Sequence, residues 1–226
     1  MDYELGIIGG MGPLATSVFF EYLVKHTRAH RDQDHINSIV LNHTFLPDRS
    51  QVIKEGKEEV FLDRIKEDFD LLNGLDLKAI AIPCNTSHYF FDQVQAMSRA
   101  PIINMVEETL AYAKALGARQ VTVLASDGTA QSGIYKTYGQ ALGLEVRMPE
   151  AREQKLVMDR IYQVKEEGKT FFADINDLID RYQVDSEVIL ACTELSAMEI
   201  GNRPVIDALK VLGNQAIKAC GREIVE

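Results

Sequence analysis

Short apolar runs alternate along the chain with stretches whose apolar residues recur every three or four positions. "YELGII" (3–8) reads as a strand, and Leu14, Val18 and Tyr22 follow it at helical spacing. "NSIVLNH" (37–43), a loop "TFLPDRS" and a charged helix over roughly 56–73 come next. "LKAIAIP" is a second buried strand; "API" and "INM" then lead into a helix with Val106, Leu110 and Ala113 on one face. "RQVTVLAS" (119–126) opens a second series: a helix, "LEVRM" and two further helices, the last with Phe171, Ile175, Leu178 and Tyr182 on one stripe. "SEVILAC" and "RPVI" precede a final helix. Such β-α alternation predicts an α/β fold with parallel sheets flanked by helices.

The series repeats itself. "LKAIAIPCNTS" and "SEVILACTELS" are each an apolar strand, a cysteine and a Thr-containing polar turn. Each leads to a Pro-led apolar run and a helix, and "ELGIIGGMG" parallels "VTVLASDGT". Cys84 and Cys192, like Pro101 and Pro204, stand about a hundred residues apart, a domain-sized period rather than a solenoid repeat. Two pseudo-symmetric domains are expected. Residues 1–103 with the returning C-terminal helix, 207–226, form one, and 104–206 form the other.

Composition narrows the class. The chain has 226 residues, 46% hydrophobic and 26% charged, as in an ordinary globular protein. A formal net charge of −10 without a Lys/Arg block argues against nucleic acid and against an anionic membrane surface. The start, Met1-Asp2-Tyr3-Glu4-Leu5, has no basic segment of a secretory signal, and no apolar run reaches membrane length. Three cysteines without a C-x-x-C pair point to reduced thiols in a cytoplasm.

Cys84 and Cys192 both fall at the carboxyl ends of strands, where open parallel sheets bind ligands. Each precedes an expected helix start, with Asn85, Thr86 and Ser87, or Thr193 and Glu194, as capping side chains. A helix N-terminus would favour thiolate and lower the thiol pKa from about 8.5. If a rough two-fold axis relates the halves, the thiols face each other across an inter-domain cleft. Two bases on opposite faces of one carbon suit inversion of a C–H stereocentre: one removes the proton and the other delivers one.

"GIIGGMGPLAT", "PCNTSH" and "ACTEL" together resemble the aspartate/glutamate racemase family, and within it the aspartate racemase branch. The resemblance runs over nearly the whole chain. It implies an isomerase that interconverts the L and D forms of a free amino acid: aspartate, glutamate or another. It also implies no PLP or other cofactor, no metal, and a homodimer. In related glutamate racemases the residue after "CT" is His; here it is Glu194, as in the aspartate branch. Some relatives carry Thr for the first cysteine; this chain keeps both. Carried over by position, Cys84 and Cys192 are the acid/base pair. Asn85, Thr86, Thr129 and Thr193 hold the ammonium and α-carboxylate, with Ser87 in the same turn, and Met11 touches the substrate. Arg49 and Lys165 grip the side-chain carboxylate, and Glu194 orients Cys192 or binds the ammonium. The fold would also serve an isomerase or decarboxylase acting on a dicarboxylate, or a ligand-binding or regulatory protein. The two retained cysteines argue against the last.

Other features read more simply. "GMGPLA" formally fits a dinucleotide fingerprint, but Pro13 sits inside it and no acid ends the next strand; a tight turn near a small ligand fits better. His26 and His30 read as a solvated helix face rather than a zinc site, and Cys220 as core.

Overall fold

The strand Leu5–Gly9 (β1) is buried along its whole length, the mark of a strand covered on both faces. Its alternate residues enter different cores: Leu5 and Ile7 one, Ile8 the other. The computed structural model describes residues 2–225. The first half runs α1 (Pro13–His26), β2 (Ser38–Asn42), α2 (Arg49–Glu55), α3 (Glu58–Leu72), β3 (Ala79–Ala81), α4 (Phe91–Met97) and α5 (Met105–Ala115). The second runs β4 (Gln120–Ala125), α6 (Asp127–Ser132), α7 (Ile134–Leu142), β5 (Glu145–Arg147), α8 (Ala151–Glu167), α9 (Ala173–Tyr182), β6 (Glu187–Ala191), β7 (Ile206–Asp207) and α10 (Ala208–Ala219).

The strands form two parallel sheets flanked by helices, in the orders β2-β1-β3 and β5-β4-β6-β7. A bridge between Ile80 and Ile102 stands beside β3 where β7 stands beside β6. The two halves therefore share one strand order. In the first, α3 supplies Phe61, Ile65 and Phe69 to one face of the sheet, and α1 and α10 supply Phe19, Leu23, Leu212 and Ile217 to the other. In the second, α5 and α7 cover Val121 and Val123 of β4, and α8 and α9 cover Leu124. Burial of each such Leu, Ile or Phe side chain contributes about 1.5–3 kcal/mol. Helix α10 follows β7 yet packs chiefly on the first sheet, and Cys220 beyond it is fully buried there.

Several expected boundaries shift. The α1 core stripe is Ala15, Phe19 and Leu23; Leu14 is exposed, and Val18 and Tyr22 are only partly buried. Phe19 and Leu23 share a core with Leu5 and Ile7 of β1, while Tyr22 meets α10 through Asn214. The charged helix expected over 56–73 is α3, and the unexpected element is α2 ahead of it, ended by Gly56 in the left-handed region at φ 65°. Part of the expected loop is therefore helical, because the Asp48 carboxylate caps α2 by accepting from the Gln51 N–H at 2.8 Å. Phe171 is exposed and precedes α9, whose buried stripe is Ile175, Leu178 and Ile179 behind Phe172. "API" contributes only the Ile102 bridge.

The halves meet closely at Gly128 in α6, whose N–H donates to Ser50 Oγ at 3.2 Å. A Cβ there would lie 2.4 Å from Ser50 Oγ and 2.8 Å from both Ser50 Cα and Thr86 Cγ2. Gly128→Ala is expected to destabilise the protein by about 1–3 kcal/mol through overpacking. Thermal unfolding reads this as a lowered midpoint; an unchanged midpoint would show that the two halves do not meet this tightly.

Candidate active site

Both cysteine turns leave their sheets at the same recess, of about 420 Å³. From the first half it is lined by Met11, Asp48, Arg49, Ser50, Cys84, Asn85 and Thr86. From the second come Ser126, Met158, Tyr162, Lys165, Ala191, Cys192, Thr193 and Glu194. Met11 follows the turn after β1, where Gly10 has φ 88° and where a Cβ would meet the His43 backbone at 2.4 Å; only glycine fits. Arg49 opens α2, Cys84 follows β3 and Cys192 follows β6. Cys84 and Cys192 are both buried, and neither is in a disulfide.

Of the residues expected from sequence, the recess brings together Met11, Arg49, Cys84, Asn85, Thr86, Lys165, Cys192, Thr193 and Glu194. Ser87 and Thr129 stand behind it. The Ser87 hydroxyl donates to the Cys84 carbonyl at 2.7 Å, and the fully buried His88 places Nδ1 2.9 Å from the same oxygen. Thr129 reaches the site through Thr86: Thr86 Oγ1 lies 2.9 Å from Thr129 Oγ1 and 2.9 Å from Ser126 Oγ. These contacts tie the Cys84 turn to the loop after β4.

Asp48, Ser50, Ser126, Met158 and Tyr162 escaped sequence reading. Met158 and Tyr162 precede Lys165 by helical spacings on α8, so placing Lys165 in the site places them too. Ser126 lies in "VTVLASDGT", the counterpart of the first Gly-rich turn.

The charges are unevenly placed. Arg49 donates from Nη1 to Pro47 O at 2.9 Å and from Nη2 to Met11 O at 3.3 Å, and its buried Nε has no partner. Among the described residues it makes no ion pair. Its guanidinium is thus a partly buried cation with donor capacity to spare. Lys165 Nζ lies 3.6 Å from Glu194 Oε1, and Cys192 Sγ donates to Glu194 Oε2 at 2.9 Å. Burial would push Lys165 down, but Glu194 and the two thiols outweigh it and hold its pKa above the ordinary value.

One electrostatic expectation is reversed. Burial, reinforced by Glu194, pushes the Cys192 thiol well up rather than down, and Lys165 offsets only part of this. The reason is local structure. The segment after Cys192 is one turn of 3-10 helix, Leu195–Ala197, without a side-chain cap. After Cys84, Thr86–Phe90 is 3-10 helix that runs on into α4. A single turn has little dipole to set against desolvation. Among the described residues, no group of three or more His, Cys, Asp or Glu side chains is gathered to hold a metal ion, and no helix is long and apolar enough to cross a membrane.

The sequence profile of the Asp/Glu/Hydantoin racemase family matches residues 8–216. The chain belongs to this family. It is an isomerase of the racemase type. This racemase is 27% identical to the broad specificity amino-acid racemase RacX of Bacillus subtilis (strain 168), covering 94% of this chain and 96% of that one. It superposes on the Picrophilus torridus aspartate racemase with a TM-score of 0.86 at 29% identity, covering 98% and 96% of the two chains. It shares its fold with the glutamate racemase of Francisella tularensis subsp. tularensis SCHU S4, solved with D-glutamate, at a TM-score of 0.65 and 16% identity, covering 96% and 80%.

If Glu194 helps hold Cys192 as a thiol, Glu194→Gln removes a negative charge that opposes the thiolate. The thiolate should then form at lower pH. In a Cys84→Ser background, with Cys220 fully buried, the pH midpoint of Cys192 alkylation by iodoacetamide is expected to move down. A midpoint that stays put or rises would contradict the assigned contact.

Proposed function

We propose that this racemase interconverts L- and D-aspartate with one of Cys84 and Cys192 removing the Cα proton while the other delivers a proton to the opposite face, without a cofactor. The observation that carries the reading is the company the thiols keep. Two buried, unbonded cysteines from corresponding strand ends line one recess with a guanidinium that lacks an anion. A substrate carboxylate supplies that anion, and Arg can take it in a two-point contact. Lys165 adds positive charge at the same end, although it shares that charge with Glu194.

In this reading Asn85, Thr86 and Thr193 hold the amino-acid head. Donors on the α-carboxylate matter most when the α-proton leaves, because charge then flows toward it. Glu194 carries the negative charge that suits the ammonium. The surroundings of Cys192 favour its thiol form, which fits it to begin as proton donor with Cys84 as base. With the opposite enantiomer the roles exchange. The name of the Picrophilus relative supports aspartate; that of the Bacillus relative suggests a wider range, which the unpaired Arg49 narrows to acidic side chains.

The proposal extends to the organisation of the chain. Residues 1–103 with 207–226, and 104–206, act as two domains that close on substrate from either side. The family resemblance supports a homodimer, and the three unbonded thiols support a reducing, cytoplasmic setting. Substrate enters from an adjoining space of about 860 Å³ that shares Asp48, Ser50, Met158 and Tyr162 with the recess.

Cys84→Ser and Cys192→Ser are each expected to lower aspartate racemisation by about 10²–10⁴-fold, the range of a lost general acid or base. Arg49→Met is expected to raise KM for aspartate about tenfold or more, with far less effect on an amino acid that lacks a side-chain carboxylate. Polarimetry with purified enantiomers measures all three. Near-normal racemisation by either cysteine variant would rule out the two-base reading.

A further inference from the structure

The Asn85 side chain is almost fully buried, yet only half of its amide is satisfied. Tyr135, on α7 of the second half, donates its hydroxyl to Asn85 Oδ1 at 2.6 Å. The Nδ2 group has no partner, although Asn85 lines the recess. A buried donor without a partner costs free energy that a ligand acceptor would recover. An amide has one oxygen and one NH₂ group, and their positions can exchange by rotation about χ2. What fixes them is the partner at one end.

We propose that Tyr135 is a positioning residue. By donating to Asn85 Oδ1, it turns the Asn85 NH₂ into the recess as a fixed donor for the substrate carboxylate. The proposal rests on the reading of Asn85 as a substrate-binding residue. Three features support it. Tyr135 is fully buried, and burial pushes its phenol upward in pKa, so it remains an O–H donor across the working pH range. Its hydroxyl has one proton to give, and Asn85 Oδ1 takes it. The contact also crosses between the halves, from α7 to the turn after β3. The second half therefore sets a donor carried by the first.

A set of variants tests this. Tyr135→Phe keeps the buried ring and removes only the hydroxyl. It is expected to raise KM for L-aspartate about tenfold and to lower kcat as well, because a donor on the α-carboxylate also meets the charge that builds as the proton leaves. In an Asn85→Ala background, the same change is expected to have no further effect, because the two residues act as one unit. Losses that add would show that Tyr135 acts independently and would overturn the proposal, as would an unchanged KM in Tyr135→Phe alone when Asn85→Ala is impaired. Should Tyr135→Phe fold poorly, Asn85→Asp serves instead. It keeps an acceptor for the phenol but presents oxygen to the substrate, so KM should rise at least as much; wild-type affinity would overturn the donor role. If Asn85→Ala binds aspartate normally, the reading of Asn85 as a substrate residue fails. The role of Tyr135 is then read without substrate. The side-chain amide ¹H–¹⁵N pair that disappears in Asn85→Ala should shift in Tyr135→Phe. An unmoved pair would show that the hydroxyl does not set the amide.

Discussion

The Thr86 hydroxyl ties the Cys84 turn to the second half. Its Oγ1, two residues after Cys84, meets both Ser126 after β4 and Thr129 in α6. Each sheet alone places its own cysteine at a strand end; only a contact between the halves places both at one recess. The tight seat of Gly128 against Ser50 and Thr86 serves the same end, and Arg49, beside Ser50, lines the recess with the thiols. Buried hydroxyl clusters of this kind specify geometry more than they stabilise, since each net hydrogen bond is worth only about 0.5–1.5 kcal/mol.

The electrostatics follow from burial. At Cys192 removal of the thiol from water opposes its ionisation, and the single 3-10 turn behind it does little against that cost. The recess is then asymmetric. On one side burial and Glu194 keep the proton on the Cys192 sulfur, against the pull of Lys165. On the other, the Cys84 carbonyl is braced by Ser87 and His88. Pseudo-symmetry of the backbone thus coexists with unlike surroundings for the two thiols.

Much of this was legible in sequence. The alternation of buried runs and amphipathic stretches marked the two parallel sheets, and "PCNTS" against "ACTELS" marked the two turns that meet. Nine residues singled out there line one recess. What escaped depends on tertiary packing. The choice of Ala15, Phe19 and Leu23 over Leu14 as the core stripe of α1 is made by how the helix seats on the sheet. The short helix α2 begins within the expected loop, started by the Asp48 cap and ended by Gly56. The upward shift of Cys192 reflects burial and the placement of Glu194, which no spacing rule reports. Tyr135 carried no motif at all; only the fold brings it to Asn85.

The central claim is that two thiols on opposite faces of Cα share the proton transfer. The isotopic content of both enantiomers at early times tests it directly. L-aspartate is incubated with the protein in D₂O, and L and D forms are separated before about a tenth has reacted. Delivery by a second, solvent-exchanged thiol predicts that the new D-aspartate carries deuterium at Cα while the remaining L-aspartate is essentially unlabelled. Deuterium appearing equally in both enantiomers, or D-aspartate that retains the original proton, would contradict it.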